Sequence, residues 1–251
     1  MKSKYYIRNE GVVAMPIYVQ NRELVTPGTL LAENENLKLE SPTVFKHDNK
    51  IYASTIGLVD LTNNRINVIP LEGKYIPKIG DLVIGLIEDY GLTYWIVDIK
   101  APYKAILNVA EVLNRPFNPL KENIKNIYDI GDYVLARVIA FDRTKDPVLT
   151  TKQKGLGKIT KGRIVEIIPS RVPRVIGKKA SMITMLKNET KCQITVGLNG
   201  RIWITGPSPE YEEIAILAVK KIESEAHTSG LTDRIKNFIR KEIERRGLKG
   251  E

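Results

Sequence analysis

The chain has little of what builds disulfides, metal centres or membrane spans. Of its 251 residues one is cysteine, Cys192, and two are histidine, His47 and His227. A lone cysteine closes no internal disulfide, and one Cys with two distant His is a poor set for a tetrahedral metal site. The expectation is an intracellular, cytoplasmic protein without metal or cofactor. Long apolar runs are missing as well. The run IAILAV, Ile214 to Val219, falls far short of the roughly 20 residues that a bilayer demands, and the start MKSKYYIRNE has no apolar h-region. Neither a membrane span nor a secretory signal is expected.

Catalytic constellations are also scarce. Asp98, Glu111, Asp129, Asp132 and Asp142 are scattered among expected strand ends and turns, where Gly-Asp pairs form turns first. A two-metal nuclease needs such carboxylates clustered. GLGKITKG lacks the G-x-x-x-x-G-K-[ST] spacing of a nucleotide P-loop, because its two glycines lie too close before the lysine. No Ser, Cys or His nucleophile set stands out. The chain reads as a non-enzyme.

What is present is an ordinary globular composition, 43% apolar and 27% charged, with a net charge of +10. The length allows one to three domains at about one per 150 residues. The charge is unevenly placed: residues 151 to 209 carry 12 basic and 2 acidic groups, while the other stretches nearly balance. Such a stretch suits a polyanion, because each Lys or Arg that meets a phosphate releases a condensed counterion; a solvated basic face is the plain alternative.

Three segments follow from the patterning. Residues 1–71 read as a small all-β domain of short strands, with a turn at Pro27 and Gly28 and a hairpin at Asn63 and Asn64. A lipoyl-type carrier would need a lysine at that hairpin tip, and none is there. Residues 72–152 show an internal echo, GDLVIGLI from Gly80 and GDYVLARVI from Gly131, with Gly85 expected to mark a bulge or bend. Between them TYWIVDI alternates strictly, which sends Trp95 to the core and Tyr94 to the surface. Five such strands suggest a small closed barrel. Residues 153–251 run strand, helix, helix, strand, strand, helix: GRIVEII, VPRVIG, SMITMLKNE capped by Ser181, a hairpin at Asn199 and Gly200, and a long helix after Ser208. A last amphipathic helix bearing Ile235, Phe238, Ile239, Glu242 and Ile243 packs back before Gly247.

The sharpest motif is VIGKKASMI, Val175 to Ile183, a tight turn at Gly177 between two helices with Lys178 and Lys179 at its tip. A loop feeding a helix N-terminus is suited to hold phosphate, and glycine lets a sugar-phosphate backbone come close. It resembles the GXXG loop of KH domains, which clamps single-stranded nucleic acid. Ala180 stands where that family has its second glycine, a substitution expected to fit if residue 180 has helical φ. An ordinary helix-turn-helix with exposed lysines is the alternative. GDLVIGLI, WIVDI, LNVAEVL and GDYVLARVIAFD in turn resemble the strands of an S1-type OB-fold domain. Tyr90, Tyr94, Asn108, Arg137 and Arg143 stand near the positions such domains use for base stacking and phosphate contact. Arg171, Arg174, Ile176, Gly177, Lys178, Lys179 and Ala180 are the candidate RNA-binding residues of the KH domain, which has the type I order βααββα plus an extra C-terminal helix.

Taken in order, VTPG, the S1-like barrel, GLGKITKGRIVEI and VPRVIGKKASMI resemble the archaeal exosome cap subunit of the ribosomal RNA-processing protein four family, over nearly the whole chain. The resemblance implies a non-catalytic subunit: three copies capping a hexameric RNase-PH-like ring, recruiting single-stranded RNA and threading its 3′ end inward. Residues 1–71 would dock on the ring. The alternative is a free-standing RNA-binding regulator or translation-associated factor built from the same modules.

Overall fold

The computed structural model describes residues 17–33, 43–62, 65–71, 73–142, 144–225 and 230–248. The chain forms two compact units, Met1–Gly73 and Lys74–Glu251. No helix among the described residues is long and apolar enough to cross a membrane.

The described residues of the first unit form strands and turns only, in keeping with the expected β domain. Strands β1 (Leu24–Val25), β5 (Gly57–Thr62) and β6 (Arg65–Pro70) make one antiparallel sheet; β2 (Leu30–Glu33), β4 (Lys50–Ala53) and β3 (Val44–His47) make the other. Alternation decides which side chains they bury: Leu31, Ile51, Ala53, Val59, Ile66 and Val68 form a common core. Gly28, at φ +84°, turns the chain into β2. The β5–β6 pairing closes at Thr62 opposite Arg65. Asn63 and Asn64, the expected turn, lie outside the described residues.

The second unit opens with a closed barrel. Strands β7 (Leu82–Tyr90), β8 (Tyr94–Asp98), β9 (Ala105–Asn108), β10 (Tyr133–Asp142) and β11 (Lys145–Thr150) pair in the order β11, β9, β8, β7, β10, and a further β10–β11 pairing closes the ring. The echo has a structural basis. Gly80 and Gly131 both take positive φ, and the following Asp81 and Asp132 accept the N–H of the residue three earlier, Lys78 at 3.1 Å and Asp129 at 2.8 Å. Each Gly-Asp turn launches a long strand. Trp95, fully buried, centres the core with Val83, Val97, Leu107, Val134 and Leu149.

Two expectations need correction. The irregularity in β7 falls between Ile87 and Asp89, not at Gly85; Gly85 is needed because a Cβ there would collide with Val97. LNVAEVL leaves the sheet after Asn108 and winds into a 3-10 turn at Val109–Glu111. The remaining strand is β11, whose Pro147 hides it from a propensity reading.

A short strand β12 (Gly157–Ile159) adds to β10, and the chain then enters an α+β fold. Strands β13 (Arg163–Glu166), β15 (Arg201–Thr205) and β14 (Gln193–Val196) form an antiparallel sheet in that order. Helices α1 (Val172–Ile176), α2 (Ser181–Thr190), α3 (Pro209–Ser224) and α4 (Leu231–Arg245) complete it. Their apolar stripes, including Val175, Leu186, Ile214, Val219, Ile235 and Ile239, bury one core with Ile194, Ile202 and Ile204 of the sheet. Glu189 near the end of α2 binds Lys236 at 3.2 Å and Arg240 at 3.0 Å, tying α4 down.

Barrel and α+β fold are joined through the β14–β15 hairpin. The Leu198 N–H donates to the Leu82 carbonyl at 2.8 Å. Asn199, fully buried, accepts the Ile84 N–H at 3.2 Å and donates to the carbonyls of Ile84 at 2.8 Å and Ile99 at 3.1 Å. Arg201, only 4% exposed, bonds the Asp98 carboxylate at 2.5 Å, the Asp98 carbonyl at 2.6 Å and Glu166 at 2.9 Å. Gly197 allows this approach, since a Cβ there would sit 2.5 Å from the Asn199 side-chain oxygen.

Candidate nucleic-acid interface

The loop between α1 and α2 has an unusual backbone. Gly177 ends α1 at φ +75°, and a Cβ there would stand 2.7 Å from the Met182 nitrogen. Lys179 at φ +52° and Ala180 at φ +61° both follow in the left-handed region. The condition under which alanine would fit easily, helical φ at residue 180, is not met, and the conformation itself explains why glycine suits that position. A non-glycine residue there costs about 1–2 kcal/mol. The expected Ser181 cap is corrected too. Ser181 is the first residue of α2, Ala180 precedes it, and no side chain caps the helix start. The result is a tight loop whose two lysines, Lys178 and Lys179, are exposed at its tip.

Around this tip, Arg174 is exposed on α1, Arg171 is half-buried before it, and Ile176 is half-buried against the helical core. The basic stretch divides into two populations. Arg201 is committed to Asp98 and Glu166, Lys158 to Asp132, and Arg163 to Glu212. Lys152, Lys154, Lys161, Arg174, Lys178, Lys179 and Lys187 make no ion pair among the described residues. The charge available to a polyanion is thus smaller than the charge counted in sequence, and the Gly177 loop holds two adjacent members of it.

On the barrel, Tyr94 begins β8 and is 38% exposed. Its ring lies close to Gly91, where a Cβ would be 2.5 Å from the ring Cε1. Tyr94 pairs with Asn108 across β8–β9. The parallel β9–β11 register, Leu107 with Leu149, brings Thr150 level with Asn108, and Thr150 pairs with Arg137. Tyr94, Asn108 and Arg137 therefore lie along one row around the barrel. Tyr90 stands at the end of β7, half-buried, beside this row. Arg137 has internal work: its guanidinium donates to the Gly80 carbonyl at 2.6 Å and to Gln153 at 2.8 Å, holding the turn before β7. Arg143 lies outside the described residues.

Sequence reasoning missed two features. Asn199 and Arg201 were legible only as hairpin residues, because their partners Ile84, Asp98 and Ile99 lie 100 or more positions away. Lys125 also escaped notice. It sits on a 3-10 turn (Ile124–Asn126) with its ammonium 5.0 Å from the Tyr90 ring centroid, and the Tyr90 hydroxyl beside it pushes its pKa up. Burial raises the Asp98 carboxyl, but the Arg201 hydrogen bond and charge outweigh it and hold Asp98 below the usual carboxylate range. Glu166 behaves in the same way, with burial opposed and exceeded by Arg201 and Lys100.

This layout has known relatives. Residues 22–72 match the family of the exosome RNA binding protein RRP4 N-terminal domain, residues 74–140 the RRP4 S1 domain, and residues 162–210 the KH domain. The exosome complex component Rrp4 of Saccharolobus solfataricus is 49% identical over 237 residues, 94% of this chain and 95% of that protein. The Rrp4 of Ignisphaera aggregans is 47% identical, over 94% of this chain and 96% of its own length. A crystal structure of a protein assigned as an exosome complex RNA-binding protein superposes with a TM-score of 0.67 at 49% identity, covering 69% of this chain and 99% of that one. On these likenesses, which span all three segments, the chain belongs to the Rrp4 family of exosome complex components.

Proposed function

We propose that the chain is a non-catalytic RNA-binding subunit of an exosome, acting in the cytoplasm. Three copies cap a hexameric RNase-PH-like ring, recruit single-stranded RNA and feed its 3′ end inward. The observation that carries this reading is the Gly177–Ala180 loop, two exposed lysines on a left-handed turn that opens α2, in a chain of the Rrp4 family. Residues 1–71 are assigned to ring docking, 72–152 and 153–251 to RNA. In that division Arg171, Arg174, Gly177, Lys178, Lys179 and Ala180 meet the sugar-phosphate backbone, Ile176 backs them, and Tyr90, Tyr94, Asn108, Arg137 and Arg143 serve the barrel face. Stacking on an aromatic is worth about 1–3 kcal/mol per base and tolerates any sequence, as a general RNA feeder requires.

Sedimentation tests the assembly. The pure chain is run alone, with the ring subunits and with oligouridine. Co-sedimentation with the ring and RNA supports the proposal; binding to RNA with no association to the ring favours a free-standing regulator instead. The pure chain should leave RNA intact whether phosphate or Mg²⁺ is supplied, and cleavage that survives purification and is lost in Asp98→Asn would count against a non-catalytic role.

A further inference from the structure

The α+β fold meets the barrel through a continuous run of charges. Lys104 of the barrel lies 2.6 Å from Glu88 and 3.7 Å from Asp98; Asp98 binds Arg201, Arg201 binds Glu166, and Glu166 takes Lys100 of the barrel at 2.9 Å. Signs alternate from end to end. At the centre only 4% of the Arg201 side chain is exposed. Its guanidinium also donates to the Ile84 carbonyl at 3.3 Å, and its Cζ stands 5.7 Å from the centroid of the Tyr133 ring. One side chain of the α+β fold therefore touches three barrel strands, β7 at Ile84, β8 at Asp98 and β10 at Tyr133.

Stability alone is a weak reason for such a cluster, because well-packed apolar side chains of similar volume often hold a junction as firmly as a buried ion pair. What the guanidinium fork adds is direction. Its donors meet several acceptors at set angles, and a displaced neighbour leaves a charge buried without its partner. Both candidate RNA faces connect to this residue by short, rigid paths. On the barrel, Asp98 closes the strand β8 that Tyr94 opens. In the α+β fold, Arg201 and Ile202 are successive residues of β15 and so point to opposite faces of the sheet. Ile202 shares its buried core with Val175 of α1 and Met182 of α2, the helices that the Gly177 loop joins.

We infer that Arg201 is a positioning residue: it locks the barrel face and the Gly177 loop into one pre-aligned, two-part site for a single RNA strand. This deepens the RNA-binding reading and rests on it. With the two faces fixed, a strand held by one meets the other at high effective concentration. With the junction loosened, the connecting chain still tethers the two folds, but the gain from joint binding falls.

The test compares the affinity of the full chain for a five-nucleotide oligouridine, close to the length that one KH loop clamps, and for a twenty-nucleotide one that can reach both faces. The parent should bind the long strand at least about a hundredfold more tightly than the short one, well above the roughly sixteenfold that extra binding registers alone would give. Arg201→Lys keeps the charge and loses the fork; Glu166→Gln loosens the same junction at its rim, where the side chain is 45% exposed, and decides the matter if Arg201→Lys fails to fold. Each should lose about tenfold in long-strand affinity and keep short-strand affinity within about twofold. Lys104→Gln is the control, since both of its partners are on the barrel, and should match the parent at both lengths. A parental ratio of long to short affinity in Glu166→Gln and in any folded Arg201→Lys overturns the inference, as does a loss shared equally by both lengths, which marks a merely structural role. If the parent gains no more than the register count, the two faces act independently and this inference alone falls. If the parent binds neither strand, the RNA-binding reading falls with it.

Discussion

At the scale of single residues, the Gly177 loop is where conformation and chemistry conflict. Ala180 holds φ +61° without being glycine. Ala180→Gly should stabilise the chain by about 1 kcal/mol by relieving that left-handed strain, read as a higher urea midpoint. Gly177→Ala should do the opposite, because its Cβ would press on the Met182 nitrogen at 2.7 Å while φ is +75°. Gly177→Asp should destabilise in the same way, since the added side chain is strained before its charge matters. A change at residue 177 therefore mixes folding with binding, and Lys178 and Lys179 are the clean probes of the loop. The motif was legible from composition and spacing; the handedness at residue 180 was not, because alanine gives no sign of a positive φ.

At the scale of elements, the β14–β15 hairpin is the piece that joins barrel to α+β fold. Asn199→Ala leaves the Ile84 N–H without its partner in a buried site, at a cost of about 1–3 kcal/mol. Denaturant unfolding checks that figure, and a change below the error of the measurement would mean that water replaces the amide. The Arg201 cluster makes a pH prediction. Asp98 and Glu166 have folded pKa values below their unfolded ones, so their stabilisation is fully present above about pH 5. It is lost as pH falls through the depressed folded values. Stability should therefore decline below about pH 4, and Asp98→Asn should show a shallower decline from a lower starting point. Most strands here were legible, since TYWIVDI alternates as a half-buried strand must. KDPVLT was not, because Pro147 argues against a strand that the parallel pairing with β9 nevertheless builds.

At the scale of the whole molecule, barrel and α+β fold bury separate cores and share a bonded junction. Ile84 and Leu135 lie outside the barrel core yet are 0% and 6% exposed, and the Ile84 backbone is bonded by Asn199 of the hairpin. Cutting away residues 151 to 251 also removes β12 from β10. The truncated barrel should therefore be less stable than expected for an independent domain, with a lower melting temperature and faster proteolysis than the unit Lys74–Glu251. A truncated barrel as stable as that unit would show the junction to be dispensable. Charge gives the same lesson. Arg201 counts in sequence as one of 12 basic residues from 151 to 209, yet it is buried at the junction and serves the fold. Burial of a charge among partners distant in sequence cannot be read from a local window.

The central claim is that single-stranded RNA is held by phosphate contacts at the Gly177 loop. The salt dependence of oligouridine affinity for the parent and for the Lys178→Gln, Lys179→Gln double variant tests it most directly. Log affinity should fall linearly with log salt in the parent, and the double variant should bind more weakly with a slope smaller by about 1.4, two contacts at about 0.7 each, and an unchanged melting temperature. A double variant with the parental slope would contradict the claim and leave the barrel face around Tyr94 to bind the RNA alone.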